Sequence, residues 1–166
     1  MTQAWTEALS QAAVLVVFLA LLAVAFAVRA DAPAKPGDER ALSSLLIETD
    51  RGPVDFTVEL ALTPQQHTRG LQGRRALAAD SGMLFDFGPS SSVAMWMKDT
   101  YIPLDMLFID NDGRIIAVAA NTKPLSLDVI RPPGLVRAVL ELNAGTAARL
   151  GVRAGQRVDH PIFHDQ

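Results

Sequence analysis

The sequence predicts a mainly β, or α+β, sandwich that carries two short helices and follows an N-terminal hydrophobic helix. Three observations lead there. From about Leu42 onward, short apolar runs are separated by turn residues, only two short stretches carry helix start and stop signals, and the absence of long βαβ spacing argues for a sandwich rather than a parallel sheet. Ahead of them, residues 8 to 28 hold no charged side chain and residues 12 to 28 no polar one.

At about 1.5 Å rise per residue, the strictly apolar run spans about 26 Å as a helix and the uncharged stretch about 30 Å or slightly more, the thickness of a bilayer's hydrocarbon. A helix buried in a globular core would show a polar stripe, and this one shows none. Residues 1–30 are therefore expected to be a signal peptide or membrane anchor, residues 31–43 a linker rich in Pro, Ala and charge, and residues 44–166 the globular domain. Val28-Arg29-Ala30 or Ala25-Phe26-Ala27 offers a cleavage site. The leading MTQAWTE lacks Lys and Arg, and Arg29 follows the span, so orientation is weakly specified. The expected location is periplasmic or exported, or anchored to the inner membrane by residues 8–28.

In the domain, Ser44 to Asp50 ends at the turn Arg51-Gly52-Pro53, and Val54, Phe56, Val58 and Leu60 then alternate with polar or small residues as a half-buried strand does. Thr63-Pro64-Gln65-Gln66 supplies an N-cap hydroxyl, a proline at the first helical position and the glutamine of a capping box, and Gly70 a stop, which makes a short helix. Gly82 to Phe87 and Val93 to Lys98 read as strands around Gly88-Pro89 and a serine cluster. Asp105 to Ile109 and Arg114 to Ala120 flank Asp110-Asn111-Asp112-Gly113 as a hairpin, and their unbroken apolar runs predict central strands covered on both faces. Leu135 to Leu142 is a further strand, Asn143 to Gly151 the second helix, and Gln156 to Asp159 a short last strand.

Composition excludes several chemistries. The 166 residues contain no cysteine, hence no disulfide, thiolate nucleophile or Cys-ligated metal. The net charge of −3 provides no global positive field, so nucleic acid is not an expected partner. Glycine-rich nucleotide loops, nucleophile elbows and zincin helices are absent. The tip Asp110 to Gly113 lacks the later acidic ligand of a calcium loop, and His160 and His164 are separated by Pro161 with no third ligand near, so that pair is expected on a surface tail. His67 lies alone on the first helix. No metal and no cofactor are expected.

The densest stretch is Met95 to Asp105, MWMKDTYIPLD. On a strand, Trp96 and Lys98 share one side, where the indole can stack on a flat ligand and the ammonium hold an anion. Alternatively Trp96 fills the core and Lys98 pairs with Asp99 or Asp105. Arg69, Arg74 and Arg75 in RGLQGRR form either an anion site or a solvated positive face.

The ordered motifs RGLQGR (Arg69 to Arg74), GMLFDF (Gly82 to Phe87), MWMKDTYIPLDMLFID (Met95 to Asp110), DGRI (Asp112 to Ile115) and VLELNAG (Val139 to Gly145) resemble the family called domain of unknown function 192, over about Ser44 to Val158. The resemblance implies a jelly-roll-like β-sandwich, often behind a signal peptide or anchor, and no established activity. It places the family's recurrent polar and aromatic positions on Arg69, Arg74, Trp96, Lys98, Asp99, Thr100, Asp105 and Glu141. The chain departs from the family pattern at Asp99, usually asparagine, at Met95, often aromatic, at Gln72, usually methionine, and at Gln156, often aspartate.

The leading functional expectation is an envelope binding or accessory module with a Trp/Lys/Asp-lined cleft for an unidentified small polar or anionic ligand. Membrane contact is expected only through the N-terminal helix, if uncleaved. The alternative is a hydrolase acting on cell-envelope material, with Asp105 or Asp99 as acid/base and Lys98 tuning it. A third possibility is that the tryptophan motif only specifies the fold.

Overall fold

The computed structural model describes residues 40–164. The expected N-terminal hydrophobic helix, the signal peptide or anchor over 1–30 and the linker as far as residue 39 lie outside the described residues. Among the described residues no helix is long and apolar enough to cross a membrane.

The chain folds as β1 (Leu42–Thr49), β2 (Gly52–Ala61), α1 (Pro64–Arg69), β3 (Ser81–Ser91), β4 (Leu104–Ile109), β5 (Ile115–Ala119), β6 (Val136–Asn143), α2 (Thr146–Leu150), β7 (Arg157–Asp159) and a closing 3₁₀ turn, Pro161–Phe163. The mainly β class with two short helices is as the sequence predicts, and the first strand opens at Leu42 rather than Ser44. The strands form one seven-stranded sheet, ordered β5-β4-β6-β3-β2-β1-β7, instead of dividing into separate layers. The sheet curls until its end strands meet. Ile115 N–H donates to the Gln156 carbonyl at 2.9 Å, Gly155 N–H to Ile115 at 2.8 Å, and Val158 N–H to Gly113 at 2.7 Å. Main-chain groups that an open edge would leave bare are thereby paired.

Local chemistry explains most of the elements. Thr63 accepts from Gln66 N–H at 3.2 Å while the Gln66 amide oxygen accepts from Thr63 N–H at 3.1 Å, the reciprocal capping box. The β1–β2 turn is closed by Thr49, whose hydroxyl donates to the Gly52 carbonyl at 2.7 Å. One pair departs from the expected absence of parallel pairing: β2 and β3 run parallel, because the short α1 and its following loop suffice to return the chain across the sheet; β3 and β6, and β6 and β4, are antiparallel.

Alternation sorts the apolar side chains into two cores, one on each face. The inner core takes Leu45, Ile47, Phe56, Val58, Leu84, Leu107 and Leu140, and the outer core Met83, Phe85, Met106, Phe108 and Val139. Every residue of β4 is buried, as its unbroken apolar run requires. β5 does not share this expected status: it ends the sheet order and only Ile115 is fully buried.

Val93 to Lys98 is not a strand of the sheet. The segment crosses the outer core as extended chain, with one isolated bridge, Met95 to Ile130. Val93, Met95 and Met97 point inward while Ala94, Trp96 and Lys98 face out, so period two arises from the covering of a flat apolar surface without a ladder. His160 is also not on a surface tail. It is 3% exposed, hydrogen-bonds the Ser43 hydroxyl at 2.9 Å and accepts from Ile162 N–H at the start of the 3₁₀ turn. His164 lies in the open beside Asp159, at 2.9 Å.

Asp105 is fully buried on the inner face of β4. Its Oδ1 accepts from Asn121 N–H and its Oδ2 from Ala147 N–H, each at 2.8 Å. It fixes the first turn of α2 and the left-handed Asn121, φ 52°, to the sheet. Asp105→Ala leaves two buried N–H groups unpaired and should lower stability by roughly 2 to 4 kcal/mol. Urea denaturation reads this, and an unchanged midpoint would show that the clamp contributes nothing.

Candidate functional site

Cross-strand register builds the floor of a cleft on the outer face. Glu59 of β2 lies opposite Met83 of β3, Met83 opposite Glu141 of β6, and Glu141 opposite Met106 of β4. Met83 and Met106 are fully buried, so Glu141 is flanked on both sides by thioether side chains and is itself 4% exposed. Burial pushes its carboxyl up to about 8, and the positive charge of Arg40 offsets only part of that rise. Among the described residues no group gives the Glu141 carboxyl a hydrogen bond.

Above this floor lies a hollow of about 190 Å³. One wall is aromatic. Phe85 and Phe87 are two residues apart on β3, share a side and stack at 6.3 Å with planes 10° apart, while the His67 ring lies 4.5 Å from Phe87. His67 Nε2 is 2.9 Å from the Ala61 carbonyl, an acceptor, so Nε2 carries the proton and donates. The end of α1 brings Arg69 to the hollow, and Gln72 follows with its amide donating to the Thr68 carbonyl at 3.0 Å. The crossing segment supplies the opposite wall through Trp96, Lys98 and Thr100.

The structure thus brings together five of the residues expected at the site: Trp96, Lys98, Thr100, Arg69 and Glu141. Trp96 is 49% exposed and does not fill the core. Lys98 is exposed and forms no ion pair with Asp99 or Asp105.

Three expected residues stand elsewhere, and the cleft is not lined by aspartate. Arg74 forms a two-pronged pair with Glu59, both contacts at 2.5 Å, so that its guanidinium fastens the loop after α1 to β2, and Arg40 joins the same carboxylate at 3.3 Å. Asp99 adopts a left-handed φ of 54°, and its carbonyl accepts from Gly73 N–H at 2.9 Å, tying the two loops together. Aspartate and asparagine both tolerate that conformation, which accounts physically for their exchange at this position. Asp105 faces the other side of the sheet, since it is one residue from Met106 on β4.

Sequence reasoning missed His67, Phe85 and Phe87. The FDF alternation in β3 places both phenylalanines on the side of Met83, a signal that was present but indistinguishable from core packing. His67 carried no such signal, because its neighbours come from another element.

Between pH 4.5 and about 8 the folded chain holds a proton on Glu141 that the unfolded chain has released. The stability linked to this group is complete below that window and is lost as pH rises through it, by up to about 1.4 kcal/mol per unit. Glu141→Gln should flatten this component when urea midpoints are compared across the window. Identical slopes in the two proteins would contradict the assignment.

No curated protein matches the chain. Among solved structures, one from Sinorhizobium meliloti 1021 with a provisional transcription-regulator name is 48% identical, covers 75% of this chain and 97% of its own, and superposes with a TM-score of 0.73. A protein of unknown function from Novosphingobium aromaticivorans DSM 12444 is 36% identical over 79% of this chain and 94% of its own, with a TM-score of 0.72. The model of DUF192, described as an uncharacterized ACR, matches residues 46–160, and the chain belongs to that domain of unknown function 192 family.

Proposed function

We propose that the chain is a small-ligand binding or accessory module of the cell envelope, exported or held at the inner membrane by residues 8–28, whose cleft takes a small anion with an apolar or ring-shaped body. The observation that carries this reading is the Trp96–Lys98 pair: a half-exposed indole and an ammonium without an ion-pair partner among the described residues, on one side of an extended segment and both lining the hollow. An exposed indole offers a flat face for stacking, and a cation beside a ring suits a planar anion. Arg69 adds a second positive charge, and Phe85 and Phe87 an apolar wall. The uncharged stretch at residues 8–28 supports the envelope location.

Nothing in the cleft favours a hydrolase run by Asp99 or Asp105. Acid/base chemistry needs two groups converging on one substrate atom. Asp105 is sealed against α2 and Asp99 is not among the cleft's lining residues. The regulator name of the Sinorhizobium relative does not transfer readily either, because a chain of net charge −3 lacks the basic field that phosphate backbones require.

Benzoate, a ring bearing one carboxylate, is a suitable probe. Trp96→Ala/Lys98→Ala should bind it at least about tenfold more weakly by calorimetry, a loss of about 1.4 kcal/mol. The same variant should lose far less stability than the roughly 3 to 5 kcal/mol typical of a fully buried large aromatic. Unchanged benzoate affinity in a folded variant would remove the basis of this reading, and a stability loss in the full range would make Trp96 a scaffold residue. Mass spectrometry of the mature N-terminus tests removal of the apolar segment: a chain beginning after residue 27 or 30 marks cleavage, and an intact one an anchor.

A further inference from the structure

We infer that Glu141 meets the bound anion as a hydrogen-bond donor, so that the cleft recognises an oxyanion through a neutral carboxylic acid on its floor as well as through cations on its walls. The inference rests on the proposed anion-binding role and names the recognition chemistry within it. Three observations carry it. Glu141 is 4% exposed, lines the hollow, and has no hydrogen-bond partner among the described residues. A largely buried carboxyl that lines a hollow and has no hydrogen bond from the chain is left to pair with whatever enters the hollow, and a ligand group can supply that bond.

Three of the other polar groups around the floor have partners within the chain. The Thr100 hydroxyl donates to the Lys98 carbonyl at 3.2 Å, the Gln72 amide to Thr68 at 3.0 Å, and His67 Nε2 to Ala61 at 2.9 Å. Met83 and Met106, which flank Glu141 on the sheet, offer no donor. An ionised Glu141 would repel an oxyanion at close range, whereas the acid form donates to it. Burial favours the acid form at neutral pH.

The charged and titratable groups around Glu141 come from every neighbouring element. Arg40 lies ahead of β1, Glu59 is on β2 in the grip of Arg74 and Arg40, His67 and Arg69 are on α1, and Lys98 is on the crossing segment. Glu141→Gln removes this one carboxyl and keeps the surrounding groups, so a loss of affinity between about pH 7 and pH 9 that the glutamine variant lacks reports on Glu141.

The test is benzoate titration of the full-length chain in detergent, followed by Trp96 emission in a Trp5→Phe background. Binding should be about tenfold weaker at pH 9 than at pH 7, as the acid form falls from about nine-tenths to one-tenth. Glu141→Gln, which keeps a neutral donor, should bind within about threefold of the starting protein at pH 7 and vary little to pH 9. Benzoate affinity in the starting protein that is flat, or that tightens with pH, overturns the donor role while leaving the anion-binding reading intact. Absence of benzoate binding at pH 7 overturns both. If the glutamine variant does not fold, the pH profile of the starting protein decides the matter alone.

Discussion

Two carboxyl groups are buried across one short stretch of the β4–β6 ladder, and strand geometry sends them to opposite faces of the sheet. Asp105 pairs in register with Leu142, and the next rung joins Met106 to Glu141. Because side chains alternate along each strand, a shift of one residue separates the inner core from the outer cleft. Asp105 receives two backbone N–H groups and fastens α2, whereas Glu141 receives none and faces a hollow. The same residue chemistry serves architecture in one case and leaves a site in the other. The difference lies in what the fold sets opposite each group.

The cleft exists because the outer face of the sheet is covered incompletely. A curled sheet closed at its edges secures the inner core, but Met83, Phe85, Met106 and Phe108 on the outside need a separate cover. That cover is extended chain, from Val93 to Lys98, with the loop after α1 beside it. Two fastenings hold the arrangement: Gly73 N–H on the Asp99 carbonyl, and Arg74 and Arg40 on Glu59. Residues that resemble a basic binding patch in the sequence are thus partly anchors, and their anchoring sets the position of Arg69, Trp96 and Lys98.

Family membership and the two similar crystal structures agree with this fold and are silent on what the cleft holds. The chemical character of the site therefore has to be read from its own groups. Aromatic rings line one wall, Arg69 and Lys98 bring positive charge to the rim, and the Glu141 carboxyl lies on the floor, the set of groups on which the proposed oxyanion-binding role rests.

Much of this was legible in the residues alone. Period-two alternation marked β2, the Thr63-Pro64-Gln65-Gln66 run marked α1, and the continuous apolar run of β4 announced burial on both faces, because all of these depend on interactions within a few residues. The same alternation placed Trp96 and Lys98 on one side of their segment. It could not say that this segment lies over the sheet instead of within it, since covering chain and paired strand bury every second residue alike. Nor could it separate Asp105 from Glu141, place His67 beside Phe87, or direct Arg74 to Glu59. Those outcomes are set by register and by contacts between residues distant in the chain, which only the assembled sheet brings into reach.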